Sequence, residues 1–327
     1  MGRRTRGPRY ERLGTEQAHR ASRRLDRLSP LAIARLMNRE DARAVRAVRR
    51  ALPAVARAVE AIVAALGAGG RLVFVGAGTS GRLGVLEAAE CPPTFGTPPS
   101  LVQAIMAGGR AAVFRAREGA EDDVRAARRE VARRVRAGDV VVGVSASGVT
   151  PFVRAALAAA RRRGAETILV TCNPGAARGA AARVVVALAT GPEVVAGSTR
   201  LKAGTATKLV LNTLTTAAMA RLGRVLGHRM IDLQPRSRKL RARAERLVAE
   251  LAGVAPARAR RALAAADGRV RLAVVMARMG GPRRRAAAVL RAAGGSLARV
   301  LEADSRRPAR RRADGVGRAR PRKPPRG

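Results

Sequence analysis

Five short valine-rich runs, most of them bounded by Gly, Asp or Ser and separated by longer segments of helical spacing, constrain this chain more than any other feature. They are RLVFVG (71–76), SLVQAIM (100–106), DVVVGVS (139–145), TILVT (167–171) and RVVVALA (183–189). None alternates apolar with polar residues. A strand that is apolar on both faces is buried on both, which is the situation of a parallel sheet covered by helices on either side. The stretches between them, notably 121–137 and 152–164, are Ala/Arg-rich with helical periodicity, so the alternation implies an α/β fold. A long helical lead-in is expected over 40–67 and an Ala/Leu/Thr helix over 203–227. From 236 onward the pattern is entirely helical.

Composition supports this reading. Aromatics make up 2% of the 327 residues and Trp is absent, so the core must be built from Ala, Val and Leu. The formal net charge of +43 would, taken alone, point to a polyanionic partner. The basic residues are spread along the whole chain, however, and are not interleaved with aromatics that could stack on bases. They are read as a compositional bias with no specific nucleic-acid partner, leaving a weak, salt-sensitive affinity for polyanions. Cys91 and Cys172 form no CxxC pair and read as reduced thiols. The basic N-terminus lacks an apolar signal-peptide segment, and no run approaches the ~20 apolar residues of a membrane span. A cytoplasmic location without membrane contact is expected. Residues 1–14 read as a loose basic arm. Residues 304–327 are Pro/Arg/Gly-rich and read as a disordered tail that cannot offset its ordering entropy.

Three hydroxyl-rich loops fall at strand ends or helix starts. Gly76-Ala-Gly-Thr-Ser-Gly81 fits the dinucleotide pattern GxGxxG, a weak signal by itself. A nicotinamide site also needs an acidic residue ~20 positions on, and there is no Asp or Glu between Glu90 and Glu118. Gly78, Thr79 and Ser80 instead offer backbone N–H groups, hydroxyls and a helix N-terminus, which suit a single phosphate ester. A tight turn without a ligand is the other reading of this loop. Ser145, Ser147 and Thr150 repeat the chemistry, with Pro151 suited to the first helical position. Ser198, Thr199, Arg200 and Lys202 form a third cluster before a helix. Each could be ordinary helix capping. Together they form a candidate binding site, because ligands of open α/β sheets collect at the strands' carboxyl ends.

Two glutamates complete the candidate site. Glu90 is expected to close its helix, because Pro92-Pro93 follow, and the negative end of the helix dipole would favour its protonated form. Glu121 is expected in the first turn of the next long helix, where the dipole favours the ionised form. One carboxyl biased toward acid and one toward base is what general acid/base chemistry requires. Acidic residues in a first helical turn also occur for stability alone. No metal site is expected, since His19 and His228 are the only histidines and neither has ligand spacing. No GxSxG elbow is present for a serine hydrolase, and no cofactor is expected.

Several of these blocks resemble one known family. VGAGTSGRLGVLEAAECPPTFG (75–96), EGAEDD (118–123), VVVGVSASGVTPFV (140–153), TCNP (171–174) and GPEVVAGSTRLKAGTATKLVLNTLTT (191–216) are similar to the N-acetylmuramic acid 6-phosphate etherases. The resemblance runs from about Thr15 to about Ala303. It implies a sugar-isomerase domain of flavodoxin-like topology, a parallel sheet of about five strands over 54–217. Before it stands a helical lead-in over 15–53, and after it a small all-helical module over 218–303. It further implies a homodimer, a sugar-phosphate substrate, and elimination of a lactyl ether followed by hydration. Glu90 falls on the family's proton donor and Glu121 on its C2 base. The N-terminal block keeps Thr15, Glu16, Ser22 and Asp26 but carries Ala18-His19 where the family has Arg-Asn. Two other functions on the same fold stay open: a non-catalytic sugar-phosphate regulator and an aldose–ketose phosphate isomerase.

Overall fold

The structure, a computed structural model, describes residues 11, 13–233, 235 and 237–306. Most of the expected basic arm and the expected tail from 307 onward lie outside the described residues. Helix α1 (Pro30–Gly67) starts ten residues before the expected lead-in. The signal was local: Ser29 accepts the Ala32 N–H at the N-cap and Pro30 takes the first helical position. The helix runs on through Pro53 without a break.

Five parallel strands follow, β1 (Leu72–Gly76), β2 (Val102–Met106), β3 (Val140–Val144), β4 (Glu166–Thr171) and β5 (Val184–Ala187), in the order β2-β1-β3-β4-β5. Each lies within its expected run, give or take one residue. Their side chains alternate between two cores. Leu72 and Phe74 face α1, α2 (Gly78–Phe95) and α6 (Lys202–Arg221). Val73 and Val75 face α4 (Val124–Arg134) and α5 (Pro151–Arg162) on the other side. A four-residue helical turn, α3 (Ala111–Phe114), links β2 to the Glu121 segment. Burial pushes the thiols of Cys91 and Cys172 up to about 12, so both are inert thiols of the core.

At the amino end of the sheet, the fully buried Asp139 ties β1 to β3. It accepts from the Arg71 amide (3.0 Å), Arg71 Nη2 (2.6 Å) and the Arg136 amide (2.9 Å). Burial alone would raise this carboxyl, but the donors of Arg71 and Arg136 outweigh it and hold it below the usual aspartate range. A depressed carboxyl stabilises the fold above its unfolded pKa of ~3.9, and that contribution is lost as pH falls through the folded value. Asp139→Asn is therefore expected to lower the melting temperature at neutral pH and to flatten its acid dependence below about pH 4. Equal losses at pH 7 and pH 3 would contradict this.

The expected helix over 203–227 is shorter in the structure. α6 stops at Arg221, and Gly223 and Gly227 adopt positive φ. The chain then turns into a small antiparallel hairpin, β6 (Val225–Leu226) with β7 (Arg229–Met230). α7 (Arg238–Ala252), α8 (Pro256–Ala265), α9 (Val270–Met279), α10 (Arg283–Ala292) and α11 (Leu297–Ser305) close on a separate core around Leu247, Val248, Leu263, Val274 and Leu297. The last helix reaches Ser305 and so takes in the first two residues expected in the tail.

Candidate active site

The carboxyl end of the sheet gathers all three hydroxyl loops. β1 runs into α2 through a turn that needs glycine at both ends. A Cβ on Gly76 would lie 2.6 Å from the Gly81 nitrogen, and one on Gly81 would lie 2.6 Å from the Gly76 oxygen. No side chain caps the start of α2, so the N–H groups beside Gly78, Thr79 and Ser80 stay available to an anion. The third loop packs onto this one. Gly204, in the first turn of α6, lies so close to Thr79 and Thr199 that a Cβ there would stand 3.6 Å from Thr79 Cγ2 and 3.3 Å from Thr199 O.

In the second loop, Ser145 is buried, and Ser147 and Thr150 are half-buried beside it. Ser145 Oγ lies 2.8 Å from Thr150 Oγ1 and 3.3 Å from Ser147 Oγ, and Ser147 Oγ lies 3.3 Å from Thr150 Oγ1. The Gly148 amide donates to Ser145 Oγ at 3.0 Å. Three hydroxyls bonded to one another can rotate their protons toward an incoming anion without losing their positions. Asn173 fastens this loop to the N-terminal segment: its Nδ2 donates to Ala146 O (2.9 Å) and to Thr15 Oγ1 (3.1 Å). The Gly197 amide donates to Thr15 O at 3.1 Å, which closes the same segment over the third loop.

Lys202 does not join the hydroxyls. It is 1% exposed, and its Nζ lies 2.5 Å from Glu40 Oε2 of α1. The start of α6 is capped by the fully buried Glu193, which accepts from the amides of Ala203 (2.9 Å) and Lys202 (3.3 Å). A lysine stem placed in the interior needs a carboxylate within reach, and Glu40 supplies it. Glu40, Glu193, Asn173 and Thr15 were all missed as candidates. Glu40 had a signal, since it falls four residues after Leu36 and four before Ala44 on the buried stripe of α1.

Both glutamate environments differ from expectation. α2 does not end at Glu90 but continues to Phe95 with Pro92 and Pro93 in its last turn, capped by left-handed Gly96. The two prolines forgo the hydrogen bonds that N–H groups there would donate to the Ala88 and Ala89 carbonyls, and packing of Cys91 and Phe95 into the core holds the turn despite that loss. Glu90 is exposed and not at the negative end of the helix. The buried acid is its neighbour Glu87, which accepts from Asn212 Nδ2 (2.8 Å) and Thr215 Oγ1 (2.7 Å) and is raised, chiefly by burial. Glu121 sits in a 3-10 turn, Ala120–Asp122, ahead of α4. The helix start is taken by Asp123, which accepts the Ala126 amide at 2.8 Å. The carboxyl of Glu121 is raised, not lowered, first by loss of hydration and then by the like charges of Asp122 and Glu118.

Glu121, Gly78 and Arg82 line one cavity of about 160 Å³. Glu90 lies twelve residues beyond Gly78 on α2, ~18 Å along the helix axis. Glu90 is not among the residues that line this cavity.

A 2-1-3-4-5 parallel sheet is the flavodoxin-like order, and the class of this chain within it is that of the sugar-isomerase (SIS) domains. Two family models agree: the glucokinase regulatory protein N-terminal SIS domain matches residues 54–161 and the SIS domain matches 122–217. The chain belongs to the N-acetylmuramic acid 6-phosphate etherase family. It is 51% identical to the N-acetylmuramic acid 6-phosphate etherase of Symbiobacterium thermophilum over 264 residues, 81% of this chain and 88% of that protein. It is 50% identical to that of Gloeobacter violaceus over 296 residues, 90% of this chain and 97% of that protein. Among solved structures, a phosphoheptose isomerase from Francisella tularensis is 19% identical with a TM-score of 0.43, over 58% of this chain and 98% of that one.

Proposed function

We propose that the chain is a carbon–oxygen lyase that cleaves the D-lactyl ether of N-acetylmuramic acid 6-phosphate, giving N-acetylglucosamine 6-phosphate and D-lactate. The carrying observation is the 50% identity to an etherase over 90% of this chain and 97% of that protein. Release of D-lactate from the purified protein and N-acetylmuramic acid 6-phosphate tests it. Binding of the sugar phosphate without lactate release would leave the regulator; interconversion of an aldose and a ketose phosphate would leave the isomerase.

The chemistry follows from the groups present. The 6-phosphate is held by Thr79, Ser80, Ser145, Ser147 and Thr150 and by the free amides at the start of α2, with Ser198 and Thr199 closing from the third loop. Ring opening exposes a C1 aldehyde that acidifies the C2 proton. Glu121 takes that proton, and the C2 electrons form the C2–C3 double bond as the C3–oxygen bond breaks. Glu90 gives its proton to the departing lactate oxygen. Water then adds at C3, and a proton returns to C2. Since Glu90 does not line the Glu121 cavity, the reading includes a homodimer in which Glu90 of one protomer serves the cavity of the other. Catabolism of a cell-wall amino sugar in the cytoplasm fits this activity.

Two expected results follow. Ser80→Ala with Ser147→Ala will raise KM while leaving the melting temperature within a few degrees, each lost bond to the phosphate weakening binding by about 1.5–3 kcal/mol; an unchanged KM would refute the phosphate assignment. A base with a raised pKa must lose activity as pH falls through that raised value. The acid limb of kcat/KM will therefore lie above the ordinary glutamate range and move down in Asp122→Asn, which removes one repelling charge. A limb unmoved by Asp122→Asn would remove Glu121 as its source.

A further inference from the structure

The cavity beside Glu121 has a volume of about 160 Å³. An apolar cavity of about 150 Å³ takes one benzene, and lactate has as many non-hydrogen atoms as benzene. The whole sugar phosphate is too large for such a space, but its lactyl arm is not. Met106, Ala107 and Ala112 give the wall an apolar part that suits the arm's methyl group. Arg82 and Arg117 line the same cavity, together with Glu118 and Glu121. Neither guanidinium is bound to those carboxylates. Arg82, half-buried in α2, donates from Nε to Val113 O (2.8 Å) and from Nη2 to Ala112 O (2.9 Å). Arg117 donates from Nη1 to Gly108 O (3.1 Å). These acceptors are neutral carbonyls, and among the described residues neither arginine belongs to an ion pair. Each guanidinium carries five N–H donors, so most stay available. The two bonds from Arg82 fix its plane between α2 and α3, and the uncapped start of α2 at Gly78 lies one turn away.

We propose that Arg82, with Arg117, binds the carboxylate of the lactyl arm and so selects a carboxylic-acid ether over an uncharged one. The identity of that acid rests on the etherase reading above. A guanidinium fork matches the two oxygens of a carboxylate. The connectivity of the substrate also fits. The carboxyl carbon is joined to C3 through one carbon and the ether oxygen, and C3 is bonded to C2. An acid anchored at Arg82 therefore keeps C2 close to Glu121, which lines the same cavity. The ionised base and the lactyl carboxylate repel one another, and guanidinium groups not already paired with the base offset that repulsion. Once Glu121 has taken the C2 proton its charge is gone, so the repulsion falls as the ether breaks.

Full-length Glu121→Gln protein, which lacks the base, allows binding to be measured without turnover. Titration calorimetry at constant ionic strength is expected to show that it binds N-acetylmuramic acid 6-phosphate about tenfold or more tightly than the analogue whose lactyl carboxylate is a carboxamide. The two ligands share a shape and differ in charge. Adding Arg82→Gln will reduce the preference to about twofold or less, with little change in affinity for the carboxamide. Adding Arg117→Gln, at an exposed position, will reduce it by a smaller factor and carries the same test should Arg82→Gln unfold. Arg128→Ala, exposed on α4 and not lining the cavity, will leave it unchanged, which separates a local contact from the field of a basic protein. A chain that shows this preference but releases no lactate keeps the acid subsite and loses the etherase reading. A chain that releases lactate but binds acid and carboxamide alike keeps the reading and loses the subsite. Equal weakening of the acid, the carboxamide and N-acetylglucosamine 6-phosphate by Arg82→Gln would put the phosphate in this cavity and overturn the proposal. So would a preference that survives both arginine substitutions.

Discussion

Glu121→Gln is expected to reduce lactate release by about 10²–10⁴-fold, and Glu90→Gln by a similar factor, because each removes one partner of a general acid/base pair. The two losses will differ in kind. Without its base the enzyme cannot ionise C2, so Glu121→Gln will also stop exchange of the C2 proton with deuterated water. Without its acid the enzyme can still ionise C2, so Glu90→Gln will continue to exchange while the ether stays intact. A substrate carrying a halide at C3 needs little protonation on departure, and it will partly rescue Glu90→Gln but not Glu121→Gln. The proposed homodimer with a composite site adds a further result. Two inactive homodimers, mixed and allowed to exchange subunits, will form heterodimers with one intact composite site each, restoring roughly a quarter of wild-type activity. No recovery on mixing would show that each protomer supplies both carboxyls to its own site. Normal exchange in Glu121→Gln with none in Glu90→Gln would reverse the roles.

The largest expected loss of stability comes from Lys202→Met. It leaves Glu40, whose side chain is 5% exposed, without its closest cation. Breaking a buried pair by removing one partner costs about 3–5 kcal/mol. The low end is expected here, since His19 (3.1 Å) and Arg43 (3.2 Å) remain beside the carboxylate. Glu40→Leu together with Lys202→Met will recover much of the loss, because it removes the stranded charge and not only its partner. Burial by itself would raise Glu40, but Lys202 and His19 outweigh it and hold the carboxyl below the usual range. The pair thus contributes fully above the unfolded pKa of ~4.3 and fades as pH falls through the folded value, so the wild-type advantage over Lys202→Met will shrink in acid. The same variant tests the placement of Lys202. If it keeps wild-type stability but shows a large rise in KM, the lysine serves the substrate and not α1.

Much of this protein is written locally. The valine runs of β1 and β3 are buried on both faces, as residues without a polar side must be. The Gly76–Gly81 turn and the Ser145–Thr150 loop carry their hydrogen-bonding capacity in consecutive residues, so both are legible in the sequence as candidate binding loops. Ser29-Pro30 equally announced the start of α1, although the expected helix began later. Several inferences failed, some on neighbouring residues and others on what a segment packs against. Pro92 and Pro93 stay helical because the turn they occupy is held in the core. Asp123, two residues after Glu121, took the helix start that Glu121 was expected to occupy. Lys202 turned inward because Glu40, 162 positions earlier in the chain, was waiting on a different helix. Propensity and hydrogen-bonding capacity act within a few residues and so are legible in the sequence. The sign of a carboxyl's shift and the partner of a buried charge are set by groups brought close only when the layers pack, and the tertiary structure alone decided those.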